Sequence, residues 1–361
     1  MAMKWLVPHM RGVRAPLVHP RPDDDAVALN LNECPLPPSP RAIAAAVATI
    51  AGANRYPPTD GSPLIAALAA HSGVPAERIE VAVGSDMLLH LLCMVSLMPG
   101  RSAVLPFPSF PRFSLSSRIA GGRPIPVDVG ADGANDVERM LAAIAPDTSV
   151  LFCCTPNGNT GGAMSATALR RLALGVQNDV LLVVDEAYAE FDPAADTLAV
   201  LANRRGPWAV TRTFSKAYAL AGLRVGYALC SDRRIAEVLH AARPIFEMTS
   251  PALAAAAAAL GDTGHLQRIL QMTEDGRNHL VAGLRALGCT PLPSVANFVT
   301  TDLHRAAAPI RQAMSDAGVP VRGLPDPGYE NFLRITVGLP EQNARALAAL
   351  AAALRKNSAD G

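Results

Sequence analysis

Thr213-Phe214-Ser215-Lys216-Ala217-Tyr218-Ala219-Leu220-Ala221-Gly222-Leu223-Arg224-Val225-Gly226-Tyr227 follows a short β-prone run that begins at Trp208. Lys216 therefore stands just past a strand end, behind a hydroxyl residue, with an arginine eight positions on in a glycine-flanked turn. An amine that must form a Schiff base needs a rigid mount, restricted solvent and nearby cationic charge to depress its pKa. An anionic group on a bound cofactor needs a fixed arginine and hydroxyl donors. This one segment holds the residues for both. Alone, the same lysine also reads as a surface charge after a strand, so the neighbouring segments decide.

Upstream, the apolar, β-branched run Val180 to Val184 reads as a strand buried on both faces and leads into Asp185-Glu186-Ala187-Tyr188. An aspartate at the carboxyl end of such a strand lies where open α/β sheets bind ligands. A helix N-cap is the other reading of Asp185. Ile79 to Val83, then Gly84-Ser85-Asp86, then the apolar run Met87 to Met98, reads as strand, tight turn and helix. Backbone amides at that helix start, with Ser85 beside them, suit a phosphate or serve as a simple cap.

Taken together these segments resemble the fold-type I pyridoxal-phosphate aminotransferases, and within them the histidinol-phosphate aminotransferase family. The resemblance begins at Leu29-Asn30-Leu31-Asn32-Glu33-Cys34-Pro35 and runs through Arg55-Tyr56-Pro57, Gly84-Ser85-Asp86 and Pro108-Ser109-Phe110-Pro111-Arg112-Phe113. It continues through Thr155-Pro156-Asn157-Gly158-Asn159-Thr160-Gly161, the Asp185 and Lys216 segments, and Phe332-Leu333-Arg334-Ile335-Thr336-Val337-Gly338. Seven short matches in one order carry more weight than any of them alone.

The resemblance implies pyridoxal 5'-phosphate as cofactor, bound covalently by Lys216, which would also shuttle the substrate proton. Asp185 would pair with the ring nitrogen and Tyr188 with the ring oxygen. Ser85, the amide of Asp86, Ser215 and Arg224 would hold the phosphate, with Tyr56 reaching it from a neighbouring subunit of a homodimer with shared sites. Phe110 would stack on the ring, with Phe113 as second candidate. Arg334, Arg322 and Asn32 would face the substrate, although Arg322 reads equally as a solvated surface residue. The implied substrates are a small amine with an anionic end, histidinol phosphate by resemblance, and a 2-oxo acid such as 2-oxoglutarate.

The chain also departs from the family. Where relatives read Pro-Asn-Asn-Pro-Thr-Gly, Gly158 replaces the asparagine that donates to the ring oxygen, leaving Asn159 or Asn157 as substitutes. Cys34 and Pro37 stand where asparagine and glycine are common, and the tyrosine placed near the substrate has no clear counterpart in the N-terminal arm. Two other readings follow: a pyridoxal-phosphate lyase of the threonine-phosphate decarboxylase type or a specialised aminotransferase of phosphonate, aromatic or natural-product metabolism, and a non-catalytic cofactor binder. Intact Lys216, Asp185, Tyr188, Arg224 and Arg334 count against the last.

Half of the 361 residues are hydrophobic and 17% charged, enough for a large core and two domains. A net charge of +1 and the absence of a basic tract argue against a nucleic-acid partner. The first residues lack a signal-peptide core, and Met87 to Met98 is too short to span a bilayer, so a cytoplasmic location with no membrane partner is expected. Six cysteines without Cys-x-x-Cys spacing read as buried free thiols, and eight scattered histidines give no metal site. β-Prone runs alternating with helical stretches predict an α/β fold: a mostly parallel sheet flanked by helices in a large domain of residues 45–242. A smaller α+β domain would comprise residues 243–361 with the N-terminal arm 1–44.

Overall fold

A computed structural model describes residues 5–11, 13, 26–192, 194, 196–324 and 326–359. Its seven-stranded sheet contains β1 (Ile79–Ala82), β2 (Ser102–Phe107), β3 (Arg123–Asp128), β4 (Thr148–Cys154), β5 (Leu181–Asp185), β6 (Trp208–Thr213) and β7 (Gly226–Cys230). Their spatial order is β1-β7-β6-β5-β4-β2-β3. Neighbours from β6 through β3 pair in parallel, whereas β7 is antiparallel to both β1 and β6. The expected mostly parallel sheet is present.

Alternation along the strands explains why both faces are covered. Val81, Val104, Leu151, Leu182, Val184 and Val210 join one core cluster with Leu64, Leu172 and Leu253 from helices. The intervening Ala82, Leu105, Phe152, Val183 and Ala209 join a second with Leu88, Leu92 and Leu239. A strand buried on two faces has no polar side to show, hence the near-continuous apolar runs in the sequence.

In the large sheet, β3 is the strand with no β-prone run to announce it, because Pro124 and Pro126 break the usual β pattern. It pairs only with β2 and ends the sheet, the position where proline is tolerated because no outer neighbour needs its missing N–H.

The second sheet is antiparallel, with β8 (Thr290–Pro291), β9 (Phe298–Asp302), β10 (Arg322–Gly323) and β11 (Phe332–Thr336) in the order β10-β11-β9-β8. Helices Thr263–Ala286, Ala307–Asp316 and Pro340–Ala359 contribute to its core, which includes Leu284, Ile310, Leu333, Ile335 and Leu350. β8 and β10 have two residues each, too few to leave a periodicity. The N-terminal segment lies along this sheet: Leu29 bridges Val321, and its carbonyl accepts from the Thr336 amide at 2.9 Å. Residues 14–25 of the expected arm lie outside the described residues.

No helix among the described residues is long and apolar enough to cross a membrane. No group of three or more metal-ligating side chains occurs among them. All six cysteines are free, and Cys34 departs from expectation in being only half-buried.

Candidate active site

Strands β1, β2, β4, β5 and β6 all point their carboxyl ends to one edge of the large sheet, because β7 reverses direction between β1 and β6. The segments picked from the sequence follow those ends: Ser85 after β1, Phe110 after β2, Asn157 to Asn159 after β4, Asp185 closing β5, and Ser215-Lys216 after β6. Arg224 sits at the same edge, just before β7. Parallel topology thus gathers residues that are far apart in sequence into one crevice.

Asp185 is 3% exposed and accepts hydrogen bonds from Thr211 Oγ1 at 2.9 Å and, weakly, from Cys154 Sγ at 3.8 Å. Burial pushes its carboxyl up to about 7, against the pull of those donors. No cation pairs with it among the described residues. A buried carboxylate held this way has a strong demand for a positively charged neighbour.

Lys216 is half-buried, and its Nζ donates to the Leu31 carbonyl at 3.0 Å. Desolvation lowers its pKa to about 8, with Arg334 and Arg224 adding to the fall and Glu33 opposing it. A neutral, nucleophilic amine is thereby accessible near physiological pH. The chain's other lysines are Lys4, outside the described residues, and Lys356, exposed on the last helix.

The turn after β1 and the turn before β7 interlock. A Cβ on Gly226 would collide with the Ser85 nitrogen, so glycine there lets β7 press against the start of the helix Ser85–Ser96. Arg224, at φ 56°, lays its guanidinium over Gly84 and donates to Ser215 Oγ at 3.2 Å and the Ala221 carbonyl at 3.0 Å. Hydroxyls, helix-start amides and a guanidinium converge as a phosphate requires. Asp86 places its amide in that first turn, while its carboxylate is gripped by Arg112 through Nε at 2.5 Å and Nη2 at 2.8 Å.

Phe113 is fully buried and stacks on Phe152 at 5.2 Å, which makes it core. Phe110 remains 38% exposed at the crevice. Tyr188 meets Phe298 edge-on at 5.5 Å and accepts from Asn32 Nδ2 at 2.9 Å. Asn32 itself, at φ 54°, is fixed by Thr336 Oγ1 on its amide and by Asn297 Nδ2 on its carbonyl. Tyr56 lies apart from these residues' contacts, 80% exposed and stacked on Phe246.

Around Gly158 both candidate asparagines are engaged. Asn157 Nδ2 donates to the Pro108 carbonyl, and Asn159 Nδ2 to that of Ser109, at 3.1 and 2.8 Å. Arg334 donates from Nη1 to the Gly158 carbonyl at 2.7 Å and to Asn159 Oδ1 at 3.2 Å, and from Nη2 to the Asn30 carbonyl at 3.2 Å. Its Nε is buried without a partner, and no carboxylate pairs with it among the described residues. Burial lowers it to about 10, and Arg322 contributes to the fall. Arg322 is half-buried directly opposite Arg334 in the β10–β11 register, so the small sheet offers two cationic side chains at one point.

The sequence reading overlooked Thr211, Arg112, Asn297 and Thr336, which orient Asp185, Asp86 and Asn32. Thr211 alone left a signal, as the first polar residue after the apolar Trp208-Ala209-Val210 of β6.

The profile of the aminotransferase class I and II family matches residues 24–350. The chain belongs to that family. Histidinol-phosphate aminotransferase 2 of Pseudomonas aeruginosa is 42% identical over 90% of this chain and 88% of its own length. The histidinol-phosphate aminotransferase of Symbiobacterium thermophilum is 39% identical over 91% of each. The crystal structure of histidinol-phosphate aminotransferase from Sinorhizobium meliloti, in complex with pyridoxal 5'-phosphate, superposes with a TM-score of 0.91 at 28% identity, covering 98% of this chain and 99% of that one.

This aminotransferase uses pyridoxal 5'-phosphate, and its residues fit that group. Asp185 offers an unpaired buried carboxylate to a protonated pyridine nitrogen, Lys216 an amine of lowered pKa to the aldehyde, and Ser85, Ser215 and Arg224 a donor set for the phosphate. The fold-type I architecture follows from the same comparison. All three of these relatives are aminotransferases by name, which leaves the lyase reading without support.

Proposed function

We propose that this aminotransferase transfers an amino group between histidinol phosphate, or a closely similar amine with an anionic end, and a 2-oxo acid such as 2-oxoglutarate, as a cytoplasmic, reversible step of histidine biosynthesis. The observation that carries the reading is Arg334: a buried cation with an unpartnered Nε and no carboxylate partner among the described residues, opposite a second arginine. Such an arrangement is stabilised by an incoming anion. The names of the relatives supply the choice of amine.

In this reading residues 45–242 form the cofactor-binding domain, and 1–44 with 243–361 form the smaller one that brings Arg334, Arg322 and Asn32 to the substrate. Bound pyridoxal phosphate acts as the electron sink that acidifies the bond to the reacting carbon. Asp185 keeps the ring nitrogen protonated, and Ser85, the Asp86 amide, Ser215 and Arg224 hold the phosphate. Phe110 would cover one ring face. Lys216 anchors the aldehyde and, once free, carries a proton off and onto the substrate carbon; its lowered pKa suits that exchange. Tyr188, oriented by Asn32, would donate to the ring oxygen, while Asn157 and Asn159 hold the 108–109 turn that precedes Phe110.

Gly158 has a spectroscopic consequence. With one donor fewer, the ring oxygen's ionised form is less stabilised, so the protonated, visible-absorbing state of the bound cofactor persists to higher pH than it does with the donor. A Cβ at 158 meets only Tyr188 Cε2, at 3.7 Å, so Gly158→Asn fits without displacing a neighbour at that atom. That variant should lower the pH midpoint of the visible band. An unmoved midpoint would mean the donor is supplied from elsewhere.

The protein is a homodimer with shared sites in this account. Tyr56, Ile245 and the exposed Ile43, Val47 and Ile50 of the helix Pro40–Ile50 supply an apolar surface for the second copy. Tyr56→Phe should weaken cofactor binding by about 1 kcal/mol, the net worth of one hydrogen bond, read by cofactor titration of the apoenzyme. Undiminished affinity would remove Tyr56 from the site.

The functional reading itself is tested by comparing kcat/KM for histidinol phosphate, histidinol, phosphonoalanine and aromatic amino acids with 2-oxoglutarate as acceptor. Histidinol phosphate should rank first, with histidinol at least tenfold poorer for want of its anion, about 1.4 kcal/mol. A preference for an aromatic amino acid or a phosphonate would replace the substrate assignment.

A further inference from the structure

Tyr56 projects from the loop that precedes Gly61, and its ring lies on Phe246 with centroids 4.3 Å and planes 21° apart. Phe246 adopts φ 59°, a left-handed conformation that a bulky side chain rarely takes without compensation. The compensation lies next to it. Arg243, 7% exposed, donates from Nε to Glu80 Oε1 at 2.8 Å and from Nη2 to the Thr59 carbonyl at 2.7 Å. Glu80 belongs to β1 and Thr59 follows Tyr56 by three residues, so one guanidinium ties the turn bearing Phe246 to the loop bearing Tyr56 and to the large sheet. Glu247, the next residue after Phe246, buries both carboxylate oxygens without a hydrogen-bond partner, 3.9 Å from Arg243 Nε. A bulky aromatic held in that conformation is unfavourable for stability and calls for a gain elsewhere.

We propose that Phe246, locked by Arg243, is a positioning residue that aims Tyr56 of its own subunit at the phosphate end of the neighbouring subunit's site. The inference rests on the shared-site reading given above. An 80% exposed tyrosine left alone would sample several rotamers and lose that freedom on engaging a phosphate. Stacked on a ring that the backbone holds still, it is already ordered.

The consequence is that damage at Phe246 appears in the other subunit's site. Differently tagged chains carrying Phe246→Ala and Lys216→Ala are co-expressed, and the mixed dimers are purified on both tags. The only lysine-bearing site then takes its Tyr56 from the chain with intact Phe246. Pyridoxal phosphate is titrated into these dimers and into Phe246→Ala homodimers, with the visible band of lysine-bound cofactor as readout. The homodimer should bind about fivefold more weakly than the unmodified protein, the equivalent of one lost hydrogen bond, and the mixed dimer should recover unmodified affinity. Phe246→Tyr, which keeps the stack, should bind as the unmodified homodimer does. Should Phe246→Ala fail to assemble, Phe246→Leu fills the volume without a ring and carries the same comparison. A mixed dimer as weak as the homodimer would place the effect inside Phe246's own site and overturn the proposal. Unchanged affinity in the Phe246 homodimers would do the same. Mixed dimers of Tyr56→Phe with Lys216→Ala separate the two layers: their recovery upholds sharing even where the Phe246 pair fails, and their failure removes the shared-site reading itself.

Discussion

Lys216→Ala should reduce turnover by about four orders of magnitude, roughly 5.5 kcal/mol in activation free energy, the upper range for loss of a positioned proton-transfer group. The same change should erase the visible band of the holoenzyme, because Lys4 is far away in sequence and Lys356 is exposed on the last helix. The physical basis is the mount. β6 fixes the backbone, Ser215 and Arg224 brace the turn, and burial with Arg334 brings the amine to about 8. Lys216→Arg retains charge but cannot form the bond, so it should fail equally. Persistence of the band in either variant would reassign the anchor.

Arg334→Lys should lower kcat/KM for the anionic substrate by roughly 2 to 4 kcal/mol, about 30- to 1000-fold, with the loss mainly in KM. A lysine keeps the charge but not the planar fork, and here the fork does several things together. Two of its nitrogens bond the carbonyls of Gly158 and Asn30 and the Asn159 amide oxygen, while Nε remains unpartnered. Lysine has a single nitrogen to divide among those acceptors and an incoming anion. Steady-state kinetics with histidinol phosphate measures the change. Unaltered kcat/KM would transfer the anion to another residue, with Arg322 the first to be tested.

Asp185 was legible in the sequence because it closes the continuous apolar run of β5, Lys216 because it follows the β-prone β6 behind a hydroxyl residue, and Arg224 because it stands in the glycine-flanked turn eight residues on. Burial on both faces prints such strands plainly, and parallel connectivity puts their ends together. β3 was hidden for the opposite reason: as an edge strand it tolerates Pro124 and Pro126, which mimic a loop. Partnerships over long separations left no local trace. Asn32 reaches Tyr188 across 156 positions, and Arg334 meets Gly158 across 176. Local pattern fixes a residue's own backbone but not the side chain that arrives from another element. The choice between Phe110 and Phe113 was of this kind, since it depends on Phe152 in β4 packing against Phe113. Gly158 was visible as a departure from the family, yet only the structure reveals its carbonyl as an acceptor for Arg334.

The central claim is that this crevice carries an amino group between histidinol phosphate and a 2-oxo acid. A single-turnover half-reaction tests it most directly: holoenzyme is mixed with one equivalent of histidinol phosphate per site in the absence of an oxo acid. The visible band should be lost while one equivalent of the corresponding ketone forms, and adding 2-oxoglutarate should restore the band with one equivalent of glutamate. A band that stays unchanged, or 2-oxoglutarate that fails to restore it and yields no glutamate, would contradict the account.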